Sequence, residues 1–182
     1  GKTVGIVGAS LVGRRVIELL GPFALEVALY DPYVTTEGAA GLGARKLDDL
    51  DELCAVSDVV SIHAPDVPAT RGMIGRAQLA AMRTGATLIN TARGALVDHD
   101  ALRDELASGR LLAVLDVTDP EPLPDDDPLR SLPNAFVTPH LAGSEGTELV
   151  RLADWAVDEI GRWIDGRPAR NPVRPELLDR MA

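Results

Sequence analysis

The chain has 182 residues, 46% of them hydrophobic and 25% charged, which fits one globular domain with a sizeable core and excludes a disordered segment. Its formal net charge of −10 argues against nucleic-acid and anionic-membrane partners, which are recognised by clustered Lys and Arg. With one cysteine, no apolar run near the ~20 residues of a membrane span and no basic leader, the chain is expected in a reducing, cytoplasmic setting.

Short runs rich in Val, Ile and Leu alternate with longer helical periods, the pattern of βαβ units around a parallel sheet. Strands are predicted over residues 3–7, 26–30, 59–63, 87–90, 111–117 and 135–138, with a short candidate seventh at 44–46. The first helix, 11–20, stops at Gly21-Pro22. Helices follow at 47–56 and 76–82, the second ending near Gly85. Asp98 or Asp100 caps the next, which Gly109 closes. Ser144 or Thr147 caps a long last helix to about Asp165, with Leu149, Leu152, Ala156 and Ile160 at near-helical spacing. The acidic, Pro-rich stretch 121–128 is expected to be a solvated connection. The opening Gly1-Lys2-Thr3 runs straight into a strand, so the sequence is expected to be a piece of a longer protein.

The run from Val4 to Gly13 joins a strand, a tight turn and a helix start. Gly8 permits the turn, Gly13 lets the helix approach the sheet, and the first helical amides face a pyrophosphate. Ser10 stands where the usual G-x-G-x-x-G has its middle glycine, and its hydroxyl is a candidate phosphate ligand, as is the Arg14 guanidinium. Asp31 follows the second strand, 18 residues past Gly13. A carboxylate there accepts hydrogen bonds from ribose hydroxyls and repels a 2′-phosphate, which favours NAD over NADP.

Three further residues follow later strands: Arg93 in Asn90-Thr91-Ala92-Arg93-Gly94, Glu121 after Leu115-Asp116-Val117-Thr118-Asp119-Pro120, and His140 in Thr138-Pro139-His140. All three are expected on one rim of the sheet, where open α/β sheets bind ligands. Cys54 is read as a small buried apolar residue, His63 as a partly buried residue with satisfied hydrogen bonds, and His99 as lying on a solvated helix face.

These segments, with Ser61-Ile62-His63-Ala64-Pro65 and the stretches 88–98 and 138–143, closely resemble the D-isomer-specific 2-hydroxyacid dehydrogenase family, in order and across nearly the whole chain. The resemblance implies a three-layer, Rossmann-type doubly wound α/β fold with a mostly parallel sheet and helices on both faces. Residues 1–182 would form the NAD-binding domain, and the substrate-binding domain would be absent apart from a return segment near 171–182. Arg93 would clamp the substrate carboxylate and polarise its carbonyl. His140 would exchange the substrate oxygen's proton, and Glu121 would orient the imidazole and favour its protonated form. Asp116 would contact the nicotinamide carboxamide. Leu11, Val12, His63, Ala64, Pro65, Thr70, Thr91, Ala92 and Gly143 would line the cofactor cleft with Gly8, Ser10, Gly13, Arg14, Asp31, Arg93 and His140.

The same resemblance implies a 2-hydroxyacid or 2-ketoacid substrate, a homodimer and no metal. Glu121, where formate dehydrogenases have Gln, points to a hydroxyacid or ketoacid. This stretch by itself is expected to bind NAD and turn over substrate poorly. An NAD-sensing, co-repressor-like binding protein is the alternative, and hydride transfer from another oxidisable small molecule such as phosphite is a third reading.

Overall fold

The computed structural model describes residues 1–143 and 145–175. Among them seven strands form one parallel sheet: β1 (Lys2–Val7), β2 (Leu25–Tyr30), β3 (Arg45–Lys46), β4 (Val59–Ile62), β5 (Thr87–Asn90), β6 (Leu112–Leu115) and β7 (Ala135–Val137). The order is β3-β2-β1-β4-β5-β6-β7, so the chain winds outward from β1 in one direction and from β4 in the other. A crevice opens where that direction reverses, beyond the carboxyl ends of β1 and β4.

The helices are α1 (Leu11–Leu20), α2 (Thr36–Gly41), α3 (Leu50–Val56), α4 (Arg76–Ala81), α5 (His99–Ala107) and α6 (Thr147–Ile164), with single 3₁₀ turns at Gly94–Leu96 and Pro128–Arg130. Two apolar clusters hold them to the sheet. One gathers Leu53, Leu79, Leu88, Leu102 and Leu106, from β5 and helices α3 to α5. The other gathers Ile6, Ile17, Leu29, Val34 and Ala39, from β1, α1, β2, the loop before α2, and α2 itself. Each large side chain fully buried in this way contributes roughly 1.5–3 kcal/mol. Gly5 lets α3 sit directly on β1, since a Cβ there would lie 2.4 Å from Ser57 Oγ and 2.6 Å from a Leu53 methyl.

The parallel α/β expectation is met, with strand ends shifted by at most two residues. Helix α2 is an element the sequence reading lacks. Thr35 caps it by accepting from the Gly38 amide at 3.1 Å. Its Gly-Ala-Ala-Gly composition has poor intrinsic helicity, and it is fixed instead by burying Ala39. Helix α3 begins three residues later than expected, at Leu50, because Asp49 turns out to be its cap. Asp98, not Asp100, caps α5 by accepting from Ala101 N at 3.0 Å.

Thr147 is the first residue of α6 and not its cap; Gly146, at φ +55°, precedes it without a side-chain cap, and Ser144 lies outside the described residues. The helical spacing of Leu149, Leu152, Ala156 and Ile160 is correct, yet no residue of α6 is buried among the described residues. Residues 171–175 of the expected return segment are exposed, and 176–182 lie outside the described residues. The acidic stretch is more than a solvated connection. Leu123 buries into the main core, as does Leu129 just past the stretch, and Asp127 receives the Arg103 guanidinium through two bonds of 2.6 and 3.2 Å.

Candidate active site and cofactor cleft

At the end of β1 the backbone turns at Gly8, φ +95°, a conformation suited to glycine. A Cβ on Gly8 would lie 2.7 Å from Ala64 N and 2.9 Å from the His63 carbonyl carbon, so the turn rests directly on the exit of β4. Gly13 is equally constrained: a Cβ there would fall 2.2 Å from Gly8 O and 3.2 Å from His63 Cβ. The two glycines therefore do what the motif predicts. Ser10 is the N-cap of α1, its Oγ accepting from Gly13 N at 3.2 Å, which leaves its O–H free to point outward as a donor. Leu11 and Val12 expose their side chains and contribute backbone amides at the helix N-terminus. Arg14 donates from Nε to Ala9 O at 2.9 Å and lines the cleft.

Asp31 sits across this loop. Its Oδ2 accepts from Ala9 N at 2.7 Å and its Oδ1 from Tyr33 N at 2.8 Å, which ties the glycine turn to the end of β2. Together with Ala64, Pro65 and Thr70 these residues line a cleft of about 420 Å³. Thr70 fixes the far wall, donating to Pro65 O at 2.6 Å and accepting from Val67 N at 3.0 Å. The set fits a dinucleotide. A backbone cradle too tight for a Cβ meets a helix N-terminus, and an acidic group stands where a ribose would bind.

His63 is buried beneath the turn, with Nε2 2.9 Å from Ser61 Oγ; burial holds its pKa below the ordinary 6.5. It therefore has the satisfied, structural character expected of it. Cys54 is likewise inert, its thiol pushed up to about 12 by burial with the charges of Asp51 and Asp49 adding to the effect.

On the other half of the rim, β5 ends in Asn90, which is fully buried. Its side chain accepts from Ala92 N at 3.1 Å and donates to Arg93 O at 2.9 Å, closing a turn that leaves Thr91 and Arg93 exposed. The Arg93 guanidinium folds back to donate to Ala92 O at 2.6 Å. Gly94 then meets the loop after β6 so closely that a Cβ would lie 2.1 Å from Thr118 C and O.

His140 adopts φ +58°, rare outside glycine, and its Nδ1–H donates to Glu121 Oε1 at 2.7 Å. The pair lines a second cleft, of about 690 Å³, with Asp116, Thr138 and Phe136 among its other walls. Asp116 is buried and holds the His140 loop. Its Oδ1 accepts from Thr138 Oγ1 at 2.5 Å and Leu141 N at 2.7 Å, and its Oδ2 from Ala142 N at 2.8 Å. Its carbonyl also accepts from His140 N at 2.9 Å. Burial pushes the Asp116 carboxyl up, but those bonds and the charge of His140 outweigh it and leave it below the usual 3.8. Gly143 follows in the same loop with no crowding around it.

His99 differs from expectation. It is buried at the start of α5, not solvated, with Nδ1–H donating to Val97 O at 3.1 Å and Nε2 accepting from Asp119 N at 3.4 Å. Asn90, Gly94, His99 and Thr138 are the shaping residues to which sequence reasoning gave no such role. Only Asn90 carries a local signal, an Asn at a strand end before a tight turn. Among the described residues no group of acidic, His and Cys side chains is placed to hold a metal, and no helix is long and apolar enough to cross a membrane.

Comparison with known proteins agrees with this geometry. Residues 1–142 match the family described as D-isomer specific 2-hydroxyacid dehydrogenase, NAD binding domain. The D-3-phosphoglycerate dehydrogenase of Methanocaldococcus jannaschii is 37% identical over 174 residues, covering 95% of this chain and 33% of that protein. Formate dehydrogenase 2, mitochondrial, of Oryza sativa subsp. japonica is 38% identical, covering 95% of this chain and 47% of the relative. The crystal structure of apo Rhodotorula graminis D-mandelate dehydrogenase superposes with a TM-score of 0.85 at 30% identity, covering 96% of this chain and 51% of that one. The chain thus spans between 33% and 51% of these three relatives. It belongs to the D-isomer specific 2-hydroxyacid dehydrogenase family, with residues 1–142 matching that family's NAD-binding domain.

Proposed function

We propose that this chain supplies the NAD site and the proton-exchanging groups of an enzyme that interconverts a D-2-hydroxyacid and a 2-ketoacid. The observation that carries the reading is the His140–Glu121 pair, 2.7 Å apart on the ligand-binding rim of an NAD-binding domain. NAD held in the cleft lined by Gly8, Ser10, Arg14 and Asp31 would supply the hydride-carrying chemistry.

His140 exchanges the proton. Because Nδ1–H is engaged by the Glu121 carboxylate, Nε2 is the atom left to take a hydroxyl proton during oxidation and return it during reduction. Glu121 fixes the tautomer and the ring orientation. Arg93, exposed beside the same rim, pairs with the substrate carboxylate, for which its planar fork of donors is suited. Its bond to Ala92 O is a rest position that a bidentate carboxylate replaces. Asp116 holds the His140 loop, and its remaining lone pairs are available to the carboxamide. Ser10, Arg14, Asp31 and the amides of Leu11 and Val12 bind the pyrophosphate and ribose, and Asp31 selects NAD over NADP.

Glu121 rather than Gln supports a hydroxyacid or ketoacid over formate. The exposed apolar face of α6 supports association of two such domains as a homodimer. Replacing His140 by Ala in the whole protein is expected to lower kcat by ~10²-fold or more while NAD still binds. Unchanged turnover would remove His140 from the chemistry.

A further inference from the structure

We infer that His99 is a positioning residue for Glu121, its neutral imidazole bracing the backbone that presents the carboxylate to His140. His99 touches neither clefts' reacting groups nor the cofactor turn. It reaches the site through Asp119, whose amide donates to His99 Nε2 at 3.4 Å, two residues before Glu121. The other ring nitrogen is anchored on its own side by Val97 O at 3.1 Å.

This arrangement uses one protonation state. A carbonyl can only accept, so Nδ1 carries the hydrogen; an amide can only donate, so Nε2 carries the lone pair. The imidazolium form has N–H on both nitrogens and no acceptor for Asp119. Gaining a proton would therefore set two donors against each other in a buried place, and the loop must move to relieve it. The rest of the loop transmits that movement. Thr118 Oγ1 donates to Pro120 O at 2.9 Å, and the Thr118 backbone is pressed against Gly94. Glu121, by contrast, is solvent-exposed, and its carboxylate meets the His140 ring at 2.7 Å.

The groups facing the ring leave it neutral at neutral pH. Burial is the largest influence and disfavours the charged ring. The bond to Val97 opposes burial, Arg103 of α5 reinforces it, and Asp119 and Asp127 from the loops after β6 oppose it. Asp127 is itself paired with Arg103, which blunts its pull on the ring. The net result lies below the ordinary 6.5. On acidification, Glu121 would lose its brace as His99 takes up a proton, a consequence that rests on the proposed roles of Glu121 and His140.

Two measurements separate the brace from the catalytic reading. In ¹⁵N-edited NMR of the 182-residue chain, the ring of His99 is expected as the Nδ1–H tautomer at pH 7.5. The Asp119 amide should shift with a midpoint equal to that of His99 and below 6.5, and His99→Gln should abolish that shift. An Nε2–H tautomer, or an Asp119 amide indifferent to the His99 titration, would overturn the inference whatever the enzyme does. In the whole protein, His99→Leu is expected to lower kcat ~10-fold or more with little change in the KM for cofactor. His99→Gln, whose Oε1 can accept from Asp119 N–H without titrating, should restore most of that loss and move the acid limb of kcat to lower pH. Equal kcat and equal acid limbs in wild type, His99→Leu and His99→Gln would refute the brace. Loss in His99→Gln as deep as in His99→Leu would also count against it.

Discussion

Gly94 lies against Thr118 with no room for a side chain: a Cβ would come within 2.1 Å of the Thr118 carbonyl. The contact joins the loop that carries Arg93 to the loop that carries Glu121, so the two keep a fixed spacing only while residue 94 is glycine. Gly94→Ala must push one backbone away from the other. The expected cost is about 1–3 kcal/mol of stability, typical of overpacking. Denaturant unfolding measures it, and turnover of the whole protein should fall further than stability explains. A variant of wild-type stability and rate would mean that the loops are independent.

Asp31 accepts from the Ala9 amide at 2.7 Å, and the proposed function gives it a second task, hydrogen bonding to the cofactor ribose. Asp31→Ala should weaken NAD binding by about 10-fold or more, the scale of one hydrogen bond to a charged group. NADP should lose less, because repulsion of its 2′-phosphate disappears as well. Titration calorimetry with both cofactors reads the ratio directly. Equal losses for the two would show that Asp31 only shapes the turn.

Asp116 fixes the His140 loop through three accepted hydrogen bonds. Asp116→Ala leaves the Leu141 and Ala142 amides without that partner and releases a His140 backbone held at φ +58°. A stability loss of about 1–3 kcal/mol is expected, with kcat falling toward that of His140→Ala. Retention of kcat would show that the loop keeps its form without the clamp.

Stability should decline on acidification in two stages. His63 and His99 are both held below 6.5 in the folded chain, chiefly by burial. The unfolded chain then binds protons first, so stability is full above about 6.5 and drops as pH falls below it. Asp116 and Asp127 are held below 3.8, Asp127 chiefly by the Arg103 guanidinium. Their contribution is full above the unfolded value near 4 and disappears as pH falls through the lower folded values. Urea midpoints measured from pH 8 to 3 check both stages. A midpoint flat between pH 7 and 5 would contradict the histidine stage.

Most of what was legible in the sequence lies where a strand meets its loop. Val-, Ile- and Leu-rich runs located the strands, and a parallel sheet puts every strand's carboxyl end on one rim. The positions of Gly8, Asp31, Arg93, Asp116 and His140 follow from that alone. Contacts between loops from different strands were not legible. The approach of Gly94 to Thr118, the reach of His99 to Asp119 and the grip of Asp116 on residues 138–142 depend on loop paths that no periodicity encodes. Burial of His99 escaped for the same reason: its helical position is polar in pattern, and it is covered by the loop after β6. Helix α6 shows the reverse case, in which spacing located the helix correctly but said nothing of what its apolar face meets.

Hydride transfer to and from a 2-hydroxyacid is the activity we propose for the protein that carries this NAD-binding domain. It is tested most directly by following absorbance of NADH and NADPH with a panel of 2-ketoacids and the whole protein. The expected result is consumption of NADH in preference to NADPH with at least one ketoacid, formation of the D-hydroxyacid, and loss of ~10²-fold or more in kcat on His140→Ala. Consumption of neither cofactor with any member, or the same rate without the His140 imidazole, would contradict it.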